Sequence, residues 1–173
     1  MNAPLIALSV VLAGVPEDGG KAAKEKLKPF KVALKEALTH ALEKSPITAI
    51  DVCSKDAPEL AKQFSSPSVK VGRAAFKLRN EKNVAPSWVT EPMERLSKEK
   101  PGTEASRLVD LKDGRYGYVE AIWVQPMCLT CHGTAIDPAV SSALKAKYPK
   151  DAATGFSEGD FRGVFWAELP RSP

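Results

Sequence analysis

The sequence predicts an α+β domain, an antiparallel sheet flanked by N-terminal and connecting helices. Three observations carry this. The first third of the chain repeats its apolar residues at three- and four-residue steps, as helices do. The stretch "ASRLVDLKDGRYGYVEAIWVQ" alternates on both sides of Asp113-Gly114, as a hairpin does. The chain closes on "FRGVFWAEL", a second alternating run. Helices gathered ahead of strands, with no βαβ unit, favour segregated layers over a parallel sheet.

In chain order, Leu27, Phe30, Leu34, Ala37, Leu38 and Ala41 form one apolar stripe on a helix from Lys21 to Lys44. Pro29 starts or bends that helix, and Ser45-Pro46 ends it. A second helical stretch, "ITAIDVCSKDAPELAKQF", sets Ile50, Cys53, Ala57, Leu60 and Phe64 in line. Asp56 with Glu59 three residues on reads as an N-cap pair, and Pro58 suits a first turn. The stretch is therefore expected to break just after Cys53. "VKVGRAAFKLRN" reads as a strand containing a glycine, and "NVAPSWVTEPMERLSKE" as a loop before a short helix. "DPAVSSALKAKYP" reads as a short helix capped by Asp137 and Pro138. In the final run Phe161, Gly163, Phe165, Ala167 and Leu169 are expected to share one face.

With 173 residues, 43% hydrophobic and 27% charged, the chain can bury its own core, and residues 21–173 are expected to form one domain. The net charge of +4 comes largely from "KAAKEKLKPFKVALKE", which reads as the wet face of a helix. The basic residues are not interleaved with aromatics and no recognition motif is present, so no nucleic acid is expected as a partner. Residues 1–20 read differently. "PLIALSVVLAGV" is too short to span a bilayer but suits the hydrophobic part of a signal peptide, with Val11-Leu12-Ala13 as a cleavage site. No Lys or Arg precedes it, which departs from the usual pattern. Without a second apolar span, the product is expected to be soluble, not membrane-spanning, and periplasmic or otherwise exported.

The chemistry concentrates at Cys128-Leu-Thr-Cys131-His132, which admits three readings. A redox dithiol would sit in a βαβ context, which is lacking. A structural zinc wants four ligands, and adjacent Cys131 and His132 are poorly placed to share one tetrahedral ion. Haem accounts for every position: two thiols for the two vinyl groups, and His132 as proximal ligand to the iron. Opposite the haem, His40 lies away from its helix's apolar stripe, Met93 reads as packing, and Met127 is tethered on the proximal side. Cys53 lies on an inward face among small neighbours. From its position alone it reads first as a buried thiol and second as an axial ligand.

Four stretches in order, "AIDVCSKDAPELA", "VGRAAFKLRN" with "NVAPSWV", "CLTCHG" and "ALKAKYPKDAATGFSEGDFRGVFW", resemble the c-type haem PAS-like family over roughly residues 25–170. The most specific matches are Tyr148-Pro149, Asp151, Ala153, Gly155, Gly159-Asp160 and Arg162-Gly163. The resemblance implies a PAS-like sheet and one covalent haem c. It makes His132 and Cys53 the axial ligands of the iron. Relatives often carry Ser or Thr where Ala74 and Ala75 stand, and an acid where Val89 and Thr90 stand. Arg73 and Arg79, from the second stretch, are candidates for the haem propionates, since a guanidinium matches a carboxylate. Trp88, Tyr148 and Phe156 are candidates to line the ring.

With both axial positions filled, no place is left for substrate, which disfavours an enzyme. The expected function is a redox- or diatomic-gas-responsive sensor, with CO or NO as ligands and a redox or signalling protein as partner. A small periplasmic electron carrier is the alternative, and a thiol–disulfide oxidoreductase without haem is the third.

Overall fold

The computed structural model describes residues 16, 18–81, 83–101, 103 and 105–171. The export-signal expectation rests chiefly on residues outside that set. Helix α1 (Gly19–Lys44) starts two residues ahead of the expected Lys21, holds Pro29 in its interior and buries Ala23, Leu27, Phe30, Leu34 and Ala41. At its end the Ser45 backbone N–H closes on the Ala41 carbonyl at 3.0 Å. The Ser45 hydroxyl then accepts from the Thr48 N–H at 3.0 Å, capping α2 (Pro46–Asp51).

Here the structure departs from expectation. Asp56 is helical (φ −74, ψ −38) and its side chain caps nothing. Instead α2 continues through a π-helical turn, Val52–Asp56, into α3 (Ala57–Gln63), and the Ala57 N–H reaches back to the Val52 carbonyl. Pro58 has no N–H to give the α-ladder. The chain absorbs this by widening one turn rather than breaking, and such insertions recur at functional sites. Cys53 sits inside that turn.

Four strands, β1 (Lys70–Ala74), β2 (Ser106–Asp110), β3 (Arg115–Trp123) and β4 (Phe161–Pro170), form an antiparallel sheet in the order β1-β4-β3-β2. The β2–β3 turn spans residues 111–114, longer than a two-residue Asp-Gly turn. It is held by Lys112, left-handed at φ 64, whose N–H donates to Asp110 Oδ1 at 2.8 Å. Shorter helices lie between the strands in sequence: α4 (Thr90–Leu96), α5 (Leu129–His132) and α6 (Pro138–Lys147). Asp137 caps α6 as expected, accepting from Ala139 and Val140 at 2.8 and 3.3 Å.

Both sheet faces are covered. On one, α1 packs Leu27, Phe30 and Leu34 against Val71, Tyr116, Tyr118, Ala167 and Leu169. On the other, α4 packs Met93 and Leu96 against Ala74, Val119 and Val164. Among the described residues no helix is long and apolar enough to cross a membrane.

β4 does not alternate to its start. Ile122 pairs Gly163 and Trp123 pairs Phe161, so Arg162 is an extra residue, a β-bulge. Alternation reverses there. Phe161 therefore leaves the face of Phe165, Ala167 and Leu169 and packs at 5.5 Å against Trp123. Gly163 makes this possible. Its φ is +151, and a Cβ would run into the Ala74 carbonyl oxygen. β1 ends at Ala74 for the same reason, since its partner bends away, and the strand expected over "VKVGRAAFKLRN" is cut to Lys70–Ala74. Replacing Gly163 with alanine is expected to cost about 2–4 kcal/mol, through strain and steric overlap. Urea unfolding of the full chain checks this.

Candidate functional site

A cavity of about 580 Å³ opens between α1, the π turn and the ends of β1, β3 and β4. It is of the size that holds small organic cofactors. Cys53, Arg73, Arg79, Cys128, Cys131, His132, Tyr148 and Arg162 all line it. Residues far apart in sequence thus face one volume. They stand around it rather than converge: among the described residues no three His, Cys, Asp or Glu side chains gather as a bare metal ion would need. That arrangement suits a flat body between walls better than a point charge.

His132 is oriented by its neighbours. Nδ1 lies 2.6 Å from the Ala153 carbonyl oxygen. A carbonyl only accepts, so Nδ1 carries the proton and Nε2 keeps its lone pair. Burial, with Arg79 and Arg162 nearby, pushes the imidazole pKa down to about 3, so the ring is the neutral, ligating form at ordinary pH. Phe156 meets it edge-on at 6.2 Å.

The segment carrying both cysteines is anchored by backbone as well. α5 is a single turn, and Gly133 leaves it to pair with Phe156. The Phe156 N–H donates to the His132 carbonyl and the Gly155 N–H to the Gly133 carbonyl, each at 3.0 Å. At the start, the Gln125 N–H donates to Cys128 Sγ at 3.4 Å. Burial pushes the Cys131 thiol up.

Arg79 is the clamp of this assembly. Nε donates to Asp151 Oδ2 at 3.0 Å, and Nη2 donates to the carbonyls of Cys131 and, at 3.1 Å, Ala153. Asp151 Oδ1 accepts from the Ala153 N–H at 2.7 Å. The side chains of this ion pair are only 7% and 9% exposed. Arg79 and His132 therefore share one acceptor, the Ala153 oxygen. This commits Arg79 to holding the chain together.

Other expected residues fall elsewhere. Trp88 lies on the far face of the sheet, stacked over Gly117, with Nε1 donating to Glu168 Oε1 at 2.7 Å. It does not line the cavity. It lands there because a glycine on β3 leaves a seat for an indole. His40 is 70% exposed beside Glu43, and Met93 is buried under the sheet. Met127 lines the cavity. Sequence pattern does not single out Arg162 as a site residue, although it belongs to the Arg162-Gly163 match. Regular alternation puts it on Val164's face, and only the bulge turns it inward.

The chain matches the model of a family described as Tll0287-like over residues 17–170. Among solved structures, the crystal structure of the cyanobacterial heme-protein Tll0287 shares 22% identity. The match covers 92% of this chain and 98% of that one, with a TM-score of 0.64. No curated protein matches the chain.

Proposed function

The chain belongs to the Tll0287-like family, and we propose that it binds one covalent haem c and acts as a redox- or diatomic-gas-responsive module. The observation that carries this reading is an imidazole held at Nδ1 by the Ala153 carbonyl, which leaves Nε2 its lone pair, in one cavity with three thiols and an arginine cluster. The similar solved structure supports it, being a heme-protein of the same fold. The four-stranded sheet with α1 across one face supports reading the fold as PAS-like.

In this reading Cys128 and Cys131 would hold the haem through thioether bonds, each S–H adding across a vinyl group, sulfur to one carbon and hydrogen to the other, with no net oxidation. His132 Nε2 and Cys53, which line the same cavity, would be the residues that ligate the iron. When bound, the haem supplies a one-electron couple and, if a ligand leaves, a site for CO or NO. The chain's own residues set the rest. An anionic thiolate would stabilise the ferric state, the Ala153 carbonyl fixes the imidazole, and α1 walls one side of the cavity. Cys53 on a π turn favours the responsive role, because such turns recur at functional sites. Periplasmic or other export belongs to this proposal, since such attachment is made outside the cytoplasm.

A second reading, an electron carrier with fixed ligands, is favoured by the cavity mouth. Lys28 and Lys35 border it as exposed cations that an acidic redox partner would meet.

The absorption spectrum of protein matured with haem tests both, ferric and then dithionite-reduced, with and without CO. The expected result is low-spin ferric haem that binds CO once reduced. Indifference to CO in both states would favour the carrier. A chain that takes no covalent haem would return Cys128 and Cys131 to thiol chemistry.

A further inference from the structure

Three guanidinium groups face this cavity, and their surroundings differ. Arg79 is fully engaged with Asp151 and two carbonyls. Arg162 is placed by the β4 bulge, with Nη1 donating to the Lys77 carbonyl at 3.2 Å and its guanidinium 5.5 Å over the Phe156 ring. Arg73 comes from β1, opposite Phe165, and lies in electrostatic range of Cys53 and Tyr148. The carboxylate in electrostatic range of Arg162 is Asp151, already claimed by Arg79. Among the described residues, two half-buried cations thus share one cavity with no ion pair of their own, an arrangement that an arriving anion would satisfy.

We infer that Arg73 and Arg162 form a clamp for the two carboxylates of the cofactor, and that Arg79 takes no part in it. The bulge is the device that builds the clamp. Without the extra residue, Arg162 would point into the α4 side with Val164. With it, Arg162 joins Arg73 on the α1 side. Gly163 and Phe156 hold that placement, the first by allowing the bend and the second by offering a ring face to the cation. Burial, with Arg73 and Arg79 close by, pulls Arg162 down to about 10, and burial lowers Arg73 too, as expected of cations awaiting a counter-charge. A guanidinium is suited to this task because its planar donors match a carboxylate edge.

The inference rests on the haem reading, and the test separates the two. The full chain carrying Cys128→Ser and Cys131→Ser binds porphyrin without covalent capture, so affinity becomes measurable. It is titrated with ferric haem and, in dilute detergent, with haem dimethyl ester, which lacks both negative charges. The parent is expected to prefer haem by about tenfold or more, the scale of a charge-assisted hydrogen bond. Arg73→Gln and Arg162→Gln are each expected to lose most of that preference while keeping their affinity for the ester. Arg162→Lys should retain part of it. Equal affinity of the parent for both porphyrins overturns the clamp and leaves haem binding standing. Variants that lose haem and ester alike mark the arginines as structural and overturn it too. Binding of neither porphyrin to the parent overturns the haem reading and the clamp with it.

Discussion

Arg79→Gln is expected to lower the unfolding free energy of the chain by about 3–5 kcal/mol, the cost of leaving one partner of a buried ion pair without the other. That is a large part of the ~5–15 kcal/mol that holds a domain folded. The pair is buried on both sides, and Arg79 ties three segments together: its own loop, the Asp151–Ala153 loop, and the turn that carries Cys131 and His132. The loss therefore falls on the site first. Asp151→Asn should cost a similar amount, because it strands the guanidinium instead. The double variant should cost less than the two single losses summed, since neither charge is then left alone. Urea unfolding of all four proteins checks this. Strict additivity would show that the two residues are not coupled and would remove the clamp role from Arg79.

The second large effect is spectroscopic. Cys53→Ala is expected to leave haem attachment at Cys128 and Cys131 intact and to convert ferric haem from low to high spin. Cys53 lines the cavity from the π turn and His132 lines it from the α5 turn. In the proposed reading, alanine there would leave the iron with a single protein ligand. Losing an anionic ligand also removes the stabilisation of the ferric state, so the midpoint potential should rise. Ser54→Ala, one residue on, changes no thiol and should leave the spin state unaltered. A low-spin spectrum unchanged in Cys53→Ala would take the ligand role from Cys53.

The Cys128-Leu-Thr-Cys131-His132 run was readable from local pattern because its spacing is covalent. The adjacency of Cys131 and His132, and the two residues before Cys131, need no fold to be recognised. The stripe of Leu27, Phe30 and Leu34 declared α1, and alternation about Asp113-Gly114 declared the hairpin, since periodicities of 3.6 and 2 belong to the chain itself. The placement of Cys53 on an inward helical wall followed from the same periodicity.

Only the tertiary structure decided what each charged or aromatic residue does. Arg73 and Arg79 look alike in "VGRAAFKLRN" and both line the cavity, yet only Arg79 is bound to Asp151, a difference set by a contact 72 residues away. Trp88 is a plausible ring neighbour until Gly117 seats it across the sheet. Arg162 reads as a residue of Val164's face until one extra residue in β4 reverses the alternation. The break expected after Cys53 became a π turn, because flanking helix held the chain straight past Pro58. Sequence pattern reports which way a side chain points when the backbone is regular. Bulges, π turns and long-range ion pairs are departures that neighbours impose, and here they build the cavity.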